Sequence, residues 1–397
     1  MKNKQFANRI TLLLAATYMV SYVTRINFGA IVGEMAAATG ISKSALSMSL
    51  TGSFICYGAG QLLSGALGDK LSPKRLVSLG LGVSSLMNLL IPLCGDPWMM
   101  LAVWCVNGLA QAFMWPPMVK IMTGLLSAEE YKQAVTKVSW GSSVGTILIY
   151  LLAPVTITAA SWQGVFYISA ALGVVMLVLW NILATDVEVK KGKVTTQESA
   201  AKLLLSPMML LILLAIILQG MLRDGITTWM PSLISESFGL SNAVSILTGV
   251  LLPVFSILSF QAANWLYSKK ITNPLSCSAL LFGLGSVCAV LLYLCFGRSV
   301  AGSALLCAAL TGCMHGVNLM LICMLPPFFS GYGNTAAVSG ILNSCTYVGS
   351  AISTYGIAAL SGNIGWKNTV LLWFFIALAG SILCFACKKP WKRRFMN

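Results

Sequence analysis

The stretch GALGDKLSPKR, residues 65–75, joins two apolar segments near 45–66 and 76–94. Each segment is long enough to cross the roughly 30 Å hydrocarbon core of a bilayer as a helix. The connection between them is short, polar and basic. The sequence therefore predicts a transmembrane helical hairpin at this point, and the same pattern of apolar segment and polar turn continues along the chain.

Apolar residues make up 57% of the 397-residue chain, and charged residues only 9%. Soluble domains carry about 25% charged residues, so the composition excludes a water-soluble protein. Apolar stretches of membrane-spanning length lie near 10–33, 45–66, 76–94, 98–122, 134–157, 163–184, 204–232, 244–267, 274–296, 300–325, 335–359 and 366–387. We therefore predict an all-α membrane protein with twelve transmembrane helices.

The first predicted span follows the basic residues Lys2, Lys4 and Arg9, as the apolar part of a secretory signal does. The apolar run nevertheless continues from Ile10 to Val32, which is too long for the apolar core of a cleaved signal. We therefore expect an uncleaved first span.

The net charge of +15 is spread over the connections between spans. Most Lys and Arg residues fall on one side of the membrane if both termini lie on that side. These residues are Lys2, Lys4, Arg9, Lys70, Lys74, Arg75, Lys132, Lys137, Lys190, Lys191, Lys193, Lys202, Lys269, Lys270, Lys388, Lys389, Lys392, Arg393 and Arg394. Only Lys43, Arg298 and Lys367 fall on the other side. Because basic connections stay cytoplasmic, we expect a multi-pass inner (plasma) membrane protein with cytoplasmic termini and no nucleic-acid partner.

The most polar internal stretch, Thr185–Lys202, lies between the sixth and the seventh predicted spans. The other connections are short, so neighbouring spans are expected to pack antiparallel. This organisation predicts a six-helix bundle at 1–184, a cytoplasmic linker at 185–203 and a second six-helix bundle with a basic tail at 204–397.

Arg25 and Arg223 lie inside apolar spans, and a shift of roughly 200 residues superposes one on the other. This match indicates pseudo-symmetric halves. A charge at the bilayer centre costs about 2.5–3.5 kcal/mol on insertion scales. A guanidinium presents a planar fork of donors that matches phosphate oxygens. The two arginines therefore predict an anion-binding site in a central cavity.

The alternative is that protein carboxylates neutralise the arginines. Asp224 follows Arg223 directly, but successive helical residues point about 100° apart, so we expect a direct pair to be awkward. The next acid after Arg25 in the first span is Glu34, about 13 Å further along the helix. We therefore expect neither guanidinium to be held by a carboxylate. A pair of that kind would remove the argument for the proposed anionic cargo.

Three spans carry recognisable segments: YMVSYVTRINF at 18–28, WPP at 115–117 and LRDGITTWMP at 222–231. The loop at 65–75 resembles the major facilitator superfamily signature G-x-L-x-D-[RK]-x-G-[RK]-[RK], with Pro73 in place of the second glycine. Together these segments resemble the organophosphate:phosphate antiporters, a branch of that superfamily that includes the glycerol-3-phosphate and hexose-6-phosphate transporters.

The resemblance implies two pseudo-symmetric six-helix bundles that exchange a phosphate ester for inorganic phosphate by alternating access. It implies that Arg25 and Arg223 clamp the substrate phosphate, and that Tyr18 and Tyr22 line the same cavity. The further wall positions that it implies are Tyr57, Lys120 and Tyr347.

The chain departs from the glycerol-phosphate transporters at three positions. Gln61 stands in place of a lysine, Ser142 in place of a histidine, and Gly220 in place of a tyrosine one turn before Arg223. We keep Gln61 and Ser142 as candidate substrate-binding residues. The three changes predict a less positive and wider cavity, and hence a bulkier or less charged substrate.

The only histidine, His315, lies between Gly312 and Gly316 in span ten. The spacing of these glycines permits close helix contact, and we expect the imidazole to hydrogen-bond a backbone or hydroxyl group. A ligand or proton-relay role stays open, because an intramembrane ionisable residue is a functional candidate by default. Polar residues that can add contacts nearby are Asn318, Asn343, Ser344 and Thr346.

The sequence thus favours a secondary transporter of a small organic anion, embedded in the lipid bilayer and monomeric. The alternatives are a transporter of another anion such as a sugar acid, and a transporter-like sensor of a phosphate ester. A multidrug exporter is disfavoured because such proteins use buried acids for cationic drugs. The only CxxC pair, Cys384 and Cys387, has no histidine nearby in the sequence, so we expect no metal site or redox role there. The sequence shows no nucleophile–base spacing, metal-ligand cluster or phosphate-binding glycine loop, so we expect no cofactor and no enzymatic activity.

Overall fold

The chain is described from a computed structural model, which covers residues 2–68, 70–185, 187, 200–240, 248–249, 251–332 and 335–396. Asp69 of the loop at 65–75 and most of the predicted linker at 185–203 lie outside the described residues.

The described residues form helices and turns, and no strand occurs among them. The helices are α1 (Lys2–Thr39), α2 (Lys43–Gly68), α3 (Pro73–Leu90), α4 (Pro97–Gln111), α5 (Trp115–Leu125), α6 (Ala128–Ala159), α7 (Trp162–Leu183), α8 (Ala200–Leu204), α9 (Pro207–Phe238), α10 (Leu251–Lys269), α11 (Pro274–Leu294), α12 (Val300–Asn318) and α13 (Thr335–Phe395). Shorter helical segments of other types are the 3-10 turns Ile91–Leu93 and Pro326–Tyr332 and the π-helical turn Leu319–Cys323.

The predicted all-α fold is confirmed, and a helix lies at each of the twelve predicted spans. Nine segments among the described residues are long and apolar enough to cross a membrane. The other three predicted spans coincide with α2, α10 and the first part of α13. That last helix is interrupted at Gly365, whose φ of +78° is non-helical. Span four is divided into α4 and α5, because proline is tolerated only in the first turn of a helix and Pro116 and Pro117 follow Trp115.

Several helices begin with a polar cap followed by proline. At the start of α4, the Asp96 carboxylate accepts hydrogen bonds from the backbone N–H groups of Trp98 and Met99, and Pro97 occupies the first helical position. The same arrangement occurs at Ser72–Pro73, Ser206–Pro207 and Asn273–Pro274. A side-chain oxygen satisfies an otherwise unpaired N–H, and proline has none to satisfy. These short motifs therefore determine where α3, α4, α9 and α11 begin.

The chain divides into two compact units. The first comprises Met1–Thr195 and Phe329–Ser344, and the second comprises Thr196–Phe328 and Cys345–Asn397. The second boundary falls inside α13. The predicted six-plus-six division and the pseudo-symmetry of the halves stay predictions.

The core of the first unit contains a group of aromatic rings from three helices. The ring of Phe28 on α1 lies 5.2 Å from that of Trp104 on α4 and 5.9 Å from that of Phe166 on α7, between ring centres. Aromatic pairs at such separations contribute about 0.5–1.5 kcal/mol beyond the area that they bury. This cluster therefore holds α1 against α4 and α7, a few residues beyond Arg25.

In the second unit, aromatic residues hold the end of α13. The Trp391 ring is fully buried and lies 5.4 Å from the Phe328 ring and 4.3 Å from the Phe395 ring. The basic C-terminal segment is thus a continuation of the last helix that packs on the rest of the unit.

Candidate anion-binding site

One face of α1 is polar and completely buried. Ser21, Thr24 and Asn27 follow one another at intervals of three residues, so they lie on one side of the helix. Ser21 Oγ donates to Gln111 Oε1 at 2.8 Å. Asn27 Nδ2 donates to Asn88 Oδ1 at 2.6 Å.

Residues of α3 and α4 complete this network. Gln111 Nε2 donates to Thr24 Oγ1 at 2.9 Å and to Ser84 Oγ at 2.7 Å. Ser84 Oγ in turn donates to Asn107 Oδ1 at 2.7 Å. Asn88 Nδ2 donates to the Thr24 carbonyl oxygen at 2.9 Å. A buried network of paired polar groups allows few alternative arrangements, so it determines the rotation of α1 about its own axis.

The adjoining face of α1 carries Tyr18, Tyr22 and Arg25. The Arg25 guanidinium carbon lies 4.1 Å from the centre of the Tyr22 ring and 4.8 Å from the centre of the Tyr57 ring on α2. The Tyr18 ring lies 5.1 Å from the Tyr22 ring and 5.1 Å from the Trp115 ring. We call these five residues the Arg25 cluster. Four of the predicted site residues are therefore neighbours in the first unit.

The tyrosine rings position the Arg25 guanidinium electrostatically. A cation over an aromatic face gains about 0.5–2 kcal/mol from the ring quadrupole. An aromatic ring carries no formal charge, so these contacts with Tyr22 and Tyr57 orient the guanidinium without neutralising it. Arg25 and Tyr22 are half-buried, whereas Tyr57 is buried.

Two glycines of α6 allow close approach behind the cluster. A Cβ atom placed on Gly145 would lie inside contact distance of the Met19 carbonyl oxygen and 2.9 Å from Tyr22 Cβ. A Cβ atom on Gly141 would lie 2.5 Å from the Ala15 carbonyl oxygen. The sequence analysis missed this contact, although the GxxxG spacing of the two glycines is the signal that predicts it.

The structure also locates the other candidates of the first unit. Gln61 is buried one turn after Tyr57, and its Nε2 donates to the Ala112 carbonyl oxygen at 3.4 Å. Ser142 is buried and donates to the Ser139 carbonyl oxygen at 2.7 Å within α6. Lys120 is half-buried on α5.

Two polar atoms next to the Arg25 cluster are buried without a hydrogen-bond partner among the described residues. They are the donor Trp115 Nε1 and the acceptor Gln61 Oε1. Nearly all buried polar groups in proteins are paired with protein or water, and an unpaired one costs about 1–3 kcal/mol. A donor and an acceptor near Arg25 are therefore suited to a polar ligand or an ordered water.

In the second unit, the neighbouring carboxylate binds Arg223. Arg223 Nε lies 2.6 Å from Asp224 Oδ1, and Nη2 lies 2.8 Å from Oδ2. The hydroxyl of Ser350 on α13 donates to Asp224 Oδ2. The expectation that adjacent residues cannot pair directly is wrong, because the long arginine side chain reaches the next carboxylate while Ser350 holds that carboxylate from a second helix.

This ion pair contradicts the expectation that neither guanidinium is held by a carboxylate, and it removes the argument that Arg223 gave for an anionic cargo. The Arg223–Asp224 pair is neutral as a whole, so Arg223 does not require an external anion in this arrangement. An anion that bridges Arg25 and Arg223 therefore has to compete with Asp224 for the second guanidinium.

Gly220 does not widen a cavity, and that expectation is also wrong. A Cβ atom on Gly220 would collide with the Thr346 carbonyl oxygen, and one on Gly349 would collide with the Ile217 carbonyl oxygen. The space of the missing side chain is filled by the backbone of α13, which packs directly on α9. The same close packing brings Ser350 to Asp224.

His315 on α12 belongs to the surroundings of this ion pair. It lies close enough to Arg223 and Asp224 for both charges to act on it. Its ring packs edge-on against Phe260, with 5.4 Å between ring centres. In the part of the chain that the structure describes, the imidazole makes no hydrogen bond, so the expected bond to a backbone or hydroxyl group is not found.

The predicted helix contact at Gly312 and Gly316 is confirmed. Ser259 of α10 donates its hydroxyl to the Gly312 carbonyl oxygen. A Cβ atom on Gly316 would lie 3.2 Å from Ser259 Oγ and 3.3 Å from Ala263 Cβ. The small residues therefore serve packing between α10 and α12.

The remaining candidates lie on α13 and are buried. Tyr347 follows Thr346, whose backbone packs on Gly220. Ser344 donates to the Gly58 carbonyl oxygen at 3.0 Å, which assigns this hydroxyl a contact within the first unit. Among the described residues, no group of three or more His, Cys, Asp or Glu side chains is arranged to hold a metal ion.

The sequence pattern of the family described as Major Facilitator Superfamily matches residues 14–354. The "Membrane sensor protein UhpC" of Salmonella typhimurium is 22% identical over 386 residues, which cover 91% of this chain and 86% of that protein. The "Probable hexose phosphate transport protein" of Chlamydia muridarum is 26% identical over 159 residues, or 40% of this chain. That match spans only 35% of the chlamydial protein.

Solved structures share the fold. The crystal structure of the transporter FucP in the outward conformation superposes with a TM-score of 0.73 at 13% sequence identity, over 96% of this chain and 97% of that chain. The names of the two sequence relatives agree with the resemblance drawn from spans one, four and seven.

Proposed function

Since the chain belongs to the major facilitator superfamily, we propose that it is a secondary transporter that moves a small organic anion by alternating access. Its cargo is a phosphate ester, exchanged for inorganic phosphate. The anion binds first at Arg25.

The Arg25 cluster is the observation that carries this proposal. A permanent cation inside an apolar span is costly. Here the neighbouring side chains hold the guanidinium in a defined orientation. The buried network of Thr24 and Asn27 sets the rotation of α1, and the rings of Tyr22 and Tyr57 hold the guanidinium. A donor fork held in place loses less entropy when it binds an anion.

A phosphate ester suits this group of residues. The guanidinium fork matches two phosphate oxygens, and the unpaired donor of Trp115 and the acceptor of Gln61 suit the hydroxyl groups of a sugar or glycerol moiety. The relative from Chlamydia muridarum bears the name of a hexose phosphate transport protein, which supports the same substrate class.

Arg223 joins anion binding only after Asp224 releases it. Ionised phosphate esters carry up to two negative charges, whereas a carboxylate carries one, so the cargo can compete for the guanidinium. The empty protein keeps a neutral pair in the second unit.

The same ion pair favours a second candidate, proton-coupled symport of the anion. A proton on Asp224 would break the pair and allow Arg223 to bind the anionic cargo. The proton and the anion would then bind together. The likeness to a membrane sensor protein over 91% of this chain favours a third candidate, a sensor that binds the ester without moving it.

Uptake into proteoliposomes tests the three candidates. The full-length protein is reconstituted with or without internal phosphate, with or without an inward proton gradient, and offered labelled glycerol phosphate, hexose phosphate or a sugar acid. We expect uptake of a phosphate ester that requires internal phosphate and ignores the proton gradient. Uptake driven by the proton gradient alone indicates symport. Uptake of the sugar acid but of neither phosphate ester contradicts the proposal that the cargo is a phosphate ester.

Thermal unfolding of the purified protein with the same compounds completes the test. We expect at least one phosphorylated compound to raise the unfolding temperature, and this shift to vanish in Arg25→Ala and to fall in Arg223→Ala. A shift without uptake indicates a sensor. Arg298→Ala, which removes a charge from an exposed connection, is the control and should behave as the unaltered protein.

A further inference from the structure

The C-terminal end of α13 is a rigid basic element. Trp391 is fully buried against Phe328 and Phe395, and Asn273 Nδ2 donates to the Lys388 carbonyl oxygen at 2.9 Å. These contacts attach the last turns of the helix to the turn Pro326–Tyr332 and to the connection between α10 and α11. The position of its basic side chains is therefore defined by packing.

Positive charge is concentrated at this end of the second unit. The exposed basic residues of the tail are Lys389, Lys392, Arg393 and Arg394. The contact of Asn273 brings Lys269 and Lys270, which are also exposed, to the same end. No Asp or Glu occurs in the segments 266–277 and 384–397.

Part of this basic end borders an open surface groove of about 450 Å³. Its lining residues are Ser206, Pro207, Met208, Pro390, Arg393 and Arg394. We call it the tail groove. Its volume falls in the range of small-ligand sites, about 300–1,000 Å³. We propose that the tail groove binds the phosphate headgroup of an anionic phospholipid, with Arg393 and Arg394 as the phosphate ligands.

A lipid suits the groove better than a free phosphate because apolar surface adjoins it. Leu205, next to the lining residue Ser206, is 72% exposed, and Phe385, one turn before Pro390, is 60% exposed. The Lys388 ammonium lies 3.4 Å from the centre of the Phe385 ring. An acyl chain can cover the apolar residues while the headgroup meets the arginines. Basic clusters at the end of a membrane helix attract anionic lipids in the same way.

Thermal unfolding with short-chain lipids distinguishes a lipid site in the tail groove from a diffuse basic surface. Purified full-length protein is unfolded by heating with soluble dihexanoyl phosphatidylglycerol, with dihexanoyl phosphatidylcholine or with inorganic phosphate. We expect the anionic lipid to raise the unfolding temperature by about 3 °C or more, phosphatidylcholine to have less than a third of this effect, and the lipid effect to remain in Arg25→Ala.

The variant pair R393Q/R394Q and K269Q/K270Q is matched, since each removes two exposed charges from the same end. We expect the first to lose the lipid shift and the second to keep it. Equal losses in both variants overturn the groove in favour of a diffuse basic surface. A phosphate shift as large as the lipid shift, lost in R393Q/R394Q, would indicate a free-anion site instead.

Native mass spectrometry gives a second measurement that does not depend on the stability of the variants. We expect one anionic lipid fewer to be retained by R393Q/R394Q than by K269Q/K270Q. Equal numbers of retained lipids in the two variants contradict the proposal.

Discussion

The two membrane arginines have contrasting environments. Arg25 lies over the rings of Tyr22 and Tyr57, on a helix whose adjoining face is held by a buried polar network. Arg223 is held by two bonds to Asp224, and Ser350 holds that carboxylate in turn. Two tyrosine rings orient the first guanidinium, and a carboxylate pairs with the second.

The contrast shows that equivalent sequence positions need not do equivalent work. Under the proposed function, the Arg25 guanidinium is oriented before the anion binds, whereas Arg223 is held in an ion pair. Binding at Arg25 would then require little rearrangement, and binding at Arg223 would require the anion to replace Asp224. The predictions below test this difference.

The largest effect is expected from Arg25→Ala. Hydrogen bonds to charged groups contribute about 1.5–3 kcal/mol each, so loss of a two-bond contact weakens phosphate-ester binding by roughly 100-fold or more. Arg25→Lys keeps the charge but loses the planar fork. Its affinity should lie between that of the unaltered protein and that of Arg25→Ala. Calorimetric titration measures both variants. Affinity in Arg25→Ala within threefold of the unaltered protein would exclude Arg25 from the site.

Asp224→Asn tests whether the ion pair stores Arg223. Removing one partner of a buried pair costs about 3–5 kcal/mol, and we expect about 2–3 kcal/mol here because the Asp224 side chain is 29% exposed. The unfolding temperature should fall, and added phosphate should restore more of it than in the unaltered protein, because the anion replaces the carboxylate.

Ser350→Ala is the matched control for that variant. It removes one hydrogen bond and leaves the ion pair, so the loss should be near 1 kcal/mol with no added response to phosphate. If Asp224→Asn responds to phosphate no more than Ser350→Ala does, Arg223 does not act as a stored anion ligand.

Gly220→Ala tests the packing that brings Ser350 to Asp224. The added methyl group collides with the Thr346 carbonyl oxygen, and overpacking of this kind typically costs about 1–3 kcal/mol. Gly356→Ala is the control on α13, where no atom lies within 4 Å of the added Cβ. We expect thermal unfolding to show a loss only at Gly220. Equal stability of the two variants would contradict the close contact of α9 and α13.

The smallest effect is expected from Tyr57. Tyr57→Leu removes a cation–π contact of about 1 kcal/mol, which corresponds to roughly a fivefold loss of phosphate-ester affinity. Tyr57→Phe keeps the ring and should change the affinity by less than twofold. If the two substitutions have equal effects, the ring of Tyr57 does not orient Arg25, and the hydroxyl group or the packing explains its place in the cluster.

Residues that are close in sequence explain the successful predictions. The twelve helices follow from apolar length, and the starts of α3 and α9 follow from Ser72–Pro73 and Ser206–Pro207. The family resemblance implied that Tyr18 and Tyr22 lie near Arg25, and the three residues do share a helix face, because they are three or four residues apart. The GxxxG contact of Gly312 was predicted for the same reason.

The failures concern contacts between distant segments. Gly220 was expected to widen a cavity, but the backbone of Thr346 fills the space. Asp224 was judged a poor partner for Arg223 because successive helical residues point about 100° apart. No local rule predicts that Ser350 holds the carboxylate from another helix. The network of Asn27 and Asn88 was also missed, since periodicity does not distinguish a buried polar face from a cavity face.

The sequence by itself determined that this chain spans a membrane with helices of known extent and carries two permanent cations within them. Apolar length and helix caps depend on residues that are close in sequence, so they can be predicted from the sequence. Only the tertiary structure decided what each cation touches. The rotation of a helix and its distance from a neighbouring helix depend on which side chains of the two helices pack together. Those side chains are far apart in the chain.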